Sequence, residues 1–183
     1  MHKEIVVLGC GNILFGDDGF GPSVVQYLEK SGLVPSHVSV TDAGTSVREI
    51  LFDLILSEQR PRKIIVIDAV DAGRRPGEIF SLRVEGLPQN KSEDFSLHET
   101  PTSNLLGELK DLCQVEVHIV AGQVESIPEA VRPGLSEVLA KAVPVAAERV
   151  LKLCQEKDSP QKDVKTSGER LDARGASQEG GAR

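Results

Sequence analysis

Short runs rich in Ile and Val alternate along this chain with amphipathic helical patterns. That alternation limits the fold more than any single motif. Glu4–Leu8, Val38–Thr41, Lys63–Asp68 and Val115–Val120 read as strands, and Lys63–Asp68 is apolar on both faces, as in a sheet covered on two sides. Glu78–Val84 carries Ile79, Leu82 and Val84 and reads as an edge strand. Between the strands, Pro22–Lys30 has first-turn Pro22 and Gly32 just past its end, the ordinary start and stop of a helix. Ser46–Ser57 sets Val47, Ile50, Leu51, Leu54 and Ile55 on one face. Pro101–Leu112 follows Thr100, a good N-cap. Leu135–Cys154 is a last helix, and Pro144 inside it predicts a kink or two pieces. The expected fold is α/β, a mostly parallel five-stranded sheet with one antiparallel edge strand and helices on both faces.

The body spans residues 1–155. From Glu156 to Arg183 only Val164 and Leu171 are strongly apolar, and six acidic residues balance six basic ones. Such a segment buries too little surface to offset its ordering entropy, so residues 156–183 are expected to be a disordered polar tail. The body therefore keeps the net charge of −7. Acidity argues against a nucleic-acid partner, because phosphate needs a positive face, and aromatics at 3% with no Trp offer few stacking platforms for bases. No apolar run approaches 18 residues, so no membrane span is expected. Three cysteines, Cys10, Cys113 and Cys154, make no disulfide framework and point to the cytoplasm.

In parallel α/β sheets ligands sit beyond the carboxyl ends of the strands. Those ends read Gly9-Cys10-Gly11-Asn12, Asp42-Ala43-Gly44-Thr45, Asp68-Ala69-Val70-Asp71 and Ala121-Gly122-Gln123. The loop GCGNILFGDDGFGP, residues 9–22, is not a dinucleotide fingerprint: Leu14 stands where the third glycine belongs, and Asp17 and Asp18 would repel a pyrophosphate. It has no Lys or Arg for a phosphate loop. HExxH fails at Thr102, and GxSxG is absent. Of the four histidines, His118 reads as a packed strand residue and His2 and His37 as solvated ends. His98 lies in a loop just before a helix. Carboxylates from two strand-end loops and one loop imidazole form a hard-to-borderline metal set. A receiver-like phosphoacceptor ending its third strand at Asp68 is a rival. However, Asp17 and Asp18 come too far after the first strand, and no Lys ends the fifth. Cys10 reads as a small packed residue; Asp17, Asp71 and Glu99 read as supporting or solvated groups near the site.

GCGNILFGDDGFGP, TDAGTS, IIVIDAVD and SLHETPTSNLL, in that order and at those distances, resemble the hydrogenase maturation endopeptidases. The resemblance covers about residues 4–150. DAGTSVREILFDLIL, PGEIF and HETPTSNLLGELKDLC are most similar to the subgroup serving the coenzyme-F420-reducing hydrogenases. The resemblance implies a three-layer α/β/α sandwich with a mixed five-stranded sheet. It implies an enzyme that removes a C-terminal extension from the precursor of a nickel–iron hydrogenase large subunit once nickel is inserted. By position, the family's metal-binding and catalytic residues fall on Asp18, Asp68 and His98, with Asp18 where many members have Glu. The family's substrate-recognition turn falls on Asp42, Gly44 and Thr45, with Ala43 replacing one Gly. The implied cofactor is nickel presented by the substrate, with no tightly bound organic cofactor. Either the metal polarises the scissile carbonyl or a carboxylate activates water, as in acid proteases. A nickel-sensing chaperone that holds the large subunit without cutting it is the non-enzyme alternative.

Overall fold

A computed structural model describes residues 3–82, 84 and 102–156. Its sheet is built from β1 (Ile5–Cys10), β2 (Val38–Gly44), β3 (Lys63–Val70), β4 (Ile79–Leu82) and β5 (Glu116–Gln123). The spatial order is β2-β1-β3-β5-β4. β1 pairs in parallel with β2 and β3, β3 in parallel with β5, and β4 lies antiparallel on β5 at the edge. Four helices cover the sheet: α1 (Phe20–Ser31), α2 (Val47–Leu56), α3 (Thr102–Asp111) and α4 (Glu137–Gln155). The expected α/β class, the five strands and the antiparallel edge strand are all present.

Strand alternation sorts the core into two sides. Ile5 and Val7 of β1 and Ile65 and Ile67 of β3 point to α1 and α4, joining Phe20, Val24, Leu28, Leu139, Ala146 and Val150. Leu8 and Cys10 of β1 and Ile64 and Val66 of β3 point the other way, to Val47 and Leu51 of α2 and Leu106 and Leu109 of α3. Period-two alternation thus gives three layers. It also sends Cys10 and, two residues beyond Val66, Asp68 toward the α2/α3 side.

α4 is one continuous helix rather than two pieces. Pro144 deprives the Ala140 carbonyl of its usual donor, but Ala140, Pro144 and Val145 all lie on the exposed side. That carbonyl stands on the solvent side, where losing its donor costs little, so the helix runs on. Its first turn is capped by Ser136, whose hydroxyl accepts from the Leu139 amide. Its last turn is capped by Lys63, fully buried at the start of β3, whose ammonium donates to the carbonyls of Leu153 (3.0 Å) and Glu156 (3.2 Å) and pairs with Glu116 at 3.4 Å.

β2 and β3 each run further than the sequence suggests. β2 continues to Gly44, so the expected turn at Asp42–Thr45 is instead the bulged end of a strand. The register slips between Gly9 and Cys10, and Cys10 sits opposite Gly44. β3 continues to Val70 and β5 to Gln123, so Asp68 lies inside its strand, opposite Ala121. His118 is a second correction: it is not core. It lies half-buried, with its Nε2 2.7 Å from a Glu116 carboxylate oxygen. His37 is half-buried rather than a solvated end. The 156–183 tail, apart from Glu156, lies outside the described residues. Among the described residues no helix is long and apolar enough to cross a membrane.

Candidate active site

β1 has β2 on one side and β3 on the other; the chain leaves β1 through α1 toward β2 and leaves β3 toward β4, beyond β5, so the two connections run in opposite directions along the sheet. The carboxyl ends of these two strands therefore open a crevice at the point where strand order reverses. Three of the expected residues stand at or beside these strand ends: Asp18 after β1, Asp42 near the end of β2, and Asp68 in β3.

Asp18 stands in a single 3-10 turn, Gly16–Gly19, between β1 and α1. It is 1% exposed, and its Oδ2 accepts the Asn12 amide at 2.8 Å. Glycine permits this placement from both sides. Gly11 has φ of +118°, and a Cβ there would come 1.9 Å from the Asp18 carbonyl oxygen. A Cβ on Gly21 would come within 2.3–2.5 Å of backbone atoms of Cys10 and Ile67. The start of α1 thus rests on the bare backbone of β1 and β3, which keeps the Asp18 turn at the mouth of the crevice.

Asp68 is half-buried, and its Oδ1 accepts the amide of Ala69 at 2.9 Å. Asp42 is exposed, and its Oδ1 accepts the Gly44 amide at 2.9 Å. That local bond is the one expected of an Asp before a glycine at positive φ, here +50°. Thr45 is exposed beyond the strand, and Ser46 takes the N-cap position of α2 without a side-chain capping bond.

Cys10 reports how these carboxylates converge. Burial pushes its thiol well above the usual cysteine range, and the charges of Asp68, Asp42 and Asp18, in that order, push it further. The thiol therefore stays protonated and is a poor nucleophile. The packed reading of Cys10 agrees with its place among Leu8, Ala43 and Val47, but its surroundings are more acidic than a core position requires.

His98 lies outside the described residues, as do Glu99 and Thr100. Among the described residues no group of three His, Cys, Asp or Glu side chains is arranged to hold a metal ion. The structure thus brings Asp18, Asp42 and Asp68 to one end of the sheet and leaves His98 as an expectation.

The partners of two residues escape sequence reasoning. Asp17, read from sequence as a supporting or solvated group, is 1% exposed. Its carboxylate accepts four bonds from the segment after β5: the amides of Glu125 (2.8 Å), Ser126 (3.4 Å) and Ser136 (2.6 Å), and the Ser136 hydroxyl (3.0 Å). Gln123, at the end of β5, is 2% exposed. Its Oε1 accepts the amides of Ala72 and Arg74, and its Nε2 donates to Asp71 and to the Val124 carbonyl. Both residues stitch strand-end loops together over 49 or more sequence positions, a distance at which local pattern carries no signal.

The family described as hydrogenase maturation protease matches residues 22–153. A protein of Methanocaldococcus jannaschii, provisionally named a hydrogenase maturation protease, is 42% identical over 151 residues, covering 81% of this chain and 95% of its own. The coenzyme F420 hydrogenase subunit delta of Methanothermobacter thermautotrophicus is 38% identical over 151 residues, covering 81% of this chain and 92% of its own. Among solved structures, the hydrogenase maturating endopeptidase HybD from Escherichia coli superposes with a TM-score of 0.66 at 28% identity, covering 84% of this chain and 91% of that one.

Proposed function

This chain belongs to the hydrogenase maturation protease family and is a peptidase, and on that premise we propose which substrate it cuts and with which residues. The substrate is the precursor of a nickel–iron hydrogenase large subunit, cut once near its C-terminus after nickel has been inserted. The 38% identity to a subunit of a coenzyme F420 hydrogenase favours a large subunit of that class. The observation that carries the reading is the convergence of Asp18, Asp42 and Asp68 on Cys10 at the strand-order reversal. A crevice lined by carboxylates favours a cationic centre over an empty one.

Nickel enters as cargo of the precursor. Asp18, Asp68 and His98 meet it from the enzyme side with two carboxylates and one imidazole, a donor set suited to a borderline divalent ion. Asp42, Gly44 and Thr45, at the end of β2, contact the precursor beside the cut. Hydrolysis adds one water across the scissile peptide bond, leaving a new carboxylate on the large subunit and an amine on the released extension. A group must take the water's proton as it attacks. Asp68, half-buried and so within reach of solvent, is assigned that part. Three free cysteines suit a reducing compartment, and the cytoplasm is the proposed location.

The test is trimming of purified precursor, read as a mass change in the large subunit. Nickel-loaded precursor is expected to be cut and nickel-free precursor to stay intact. Equal cutting of both would sink the metal-gated reading.

A further inference from the structure

We propose that Asp17 is a positioning residue: its carboxylate clasps the segment after β5 and so fixes the turn on which Asp18 stands. The inference deepens the reading of Asp18 as a site residue and rests on it.

The Asp18 turn is held on its inner side by contacts within its own loop. The Asn12 amide donates to Asp18, and Gly11 lies against the Asp18 carbonyl. Those contacts, with Gly21 resting on Cys10 and Ile67, hold the turn to the ends of β1 and β3 but not to the chain that follows β5. The outer side supplies that hold. The Gly16 amide donates to the Arg132 carbonyl at 2.8 Å, and the Arg132 amide donates to the Leu14 carbonyl at 2.8 Å. Next to these bonds, Asp17 gathers four donors on two oxygens. Ser136 N–H is on Oδ1. Glu125 N–H, Ser126 N–H and Ser136 O–H are on Oδ2. The donors belong to the chain leaving β5 and to the N-cap of α4. Asp17 therefore joins the site loop to two rigid elements, and Asp18 is the next residue along.

The choice of residue is informative. A carboxylate offers two acceptor oxygens and no donor, and every group facing Asp17 in these four bonds is a donor. An amide of the same shape would keep one acceptor and turn an NH2 toward the donors on its other side. The N-terminal end of the 19-residue α4 also favours a negative group there. Asp17 thus differs in duty from its neighbour: it touches no substrate and acts through Asp18.

The test is Asp17→Asn, compared with wild type by amide hydrogen exchange and by trimming of nickel-loaded precursor. The Asn12 amide, which is bonded to the Asp18 carboxylate, reports the placement of Asp18 directly. Exchange at Asn12 and Ser136 is expected to accelerate about tenfold or more, while the core amides of Val7 and Ile65 keep their wild-type rates, because local opening is separable from global unfolding. In trimming, kcat per folded molecule is expected to fall about tenfold with KM nearly constant, the mark of a lost transition-state contact. Unchanged exchange at Asn12, or an equal acceleration of Asn12, Val7 and Ile65, would overturn the proposal. Should Asp17→Asn fail to fold, Ser136→Ala removes the hydroxyl donor to Asp17 together with the acceptor of the Leu139 amide at the start of α4. A two- to fivefold acceleration at Asn12 and its loop, over and above that at the first turn of α4 and about that expected for one of four bonds, supports the clasp, and no acceleration at Asn12 overturns it. If wild-type protein trims nothing, the substrate reading fails, while the exchange arm still decides the role of Asp17.

Discussion

Asp17 and Asp18 are adjacent, equally buried and chemically identical, yet their partners give them opposite work. Asp17 faces donors from a distant segment, whereas Asp18 accepts the amide of its own loop's Asn12 and, like Asp68, lies close enough for its charge to act on Cys10. Because an Asn at 18 keeps an acceptor for the Asn12 amide, Asp18→Asn is expected to leave the melting temperature nearly unchanged. It should cut trimming about 100-fold or more, the scale of losing one electrostatic contact in a transition state. Trimming at wild-type rate with a folded variant would remove Asp18 from the site. Asp71 offers a pH readout. The Gln123 side-chain amide, then the Gly73 amide, hold its carboxyl below the usual 3.8, against a small opposing effect of burial. Its folded value is depressed, so the bond's contribution is present above the unfolded value and disappears as pH falls through the folded one. Gln123→Leu is expected to move the Asp71 midpoint upward in a carboxyl-carbon NMR titration. An unmoved midpoint would show that Gln123 is not the cause.

At the scale of elements, the sequence announced most of what formed. The α2 face of Val47, Ile50, Leu51, Leu54 and Ile55 is the face that packs, because a 3.6-residue period needs no tertiary information. Strand ends were less legible. β2, β3 and β5 each run two or three residues past the ends read from sequence, through Asp42, Ala69 and Gly122. Pairing with a neighbouring strand extends them there, and composition does not record pairing. The same blindness hid Asp17 and Gln123, whose partners lie far along the chain. It also hid Lys63, the charged first residue of a strand that continues Ile64-Ile65-Val66-Ile67. Its burial follows from the carbonyls of α4, 90 and 93 residues away. Lys63→Met is expected to destabilise the protein by about 1–3 kcal/mol, the cost of leaving Leu153 and Glu156 carbonyls without their donor. Denaturant unfolding checks this, and a variant as stable as wild type would show that water replaces the ammonium without loss.

For the whole molecule, the fold class followed from the strand–helix alternation, and the strand-end rule directs attention to the carboxyl ends of β1, β2 and β3. Asp18 and Asp68 do lie at that end of the sheet. His98 could be brought to them only by the ordered motifs of the family, since residues 85–101 lie outside the described part. The tail is argued from composition alone. Deleting residues 160–183 is expected to leave both the melting temperature and trimming unchanged; an unprocessed precursor at normal expression would show that the tail takes part in the reaction.

α4 is held by an acid at one end and a base at the other: Asp17 binds its N-cap and Lys63 its last carbonyls. At 19 residues it is about 28 Å long and crosses from the crevice end of the sheet to the opposite one. Glu156 therefore departs beside Lys63 and Glu116, at the strand starts, with the depth of the sheet between it and Asp18. A handle joined after Glu156, whether an affinity tag, a fluorophore or a solid support, would leave from the far pole of the molecule. The enzyme could be anchored by its C-terminal side with the crevice turned outward, free to receive a partner as bulky as a hydrogenase subunit.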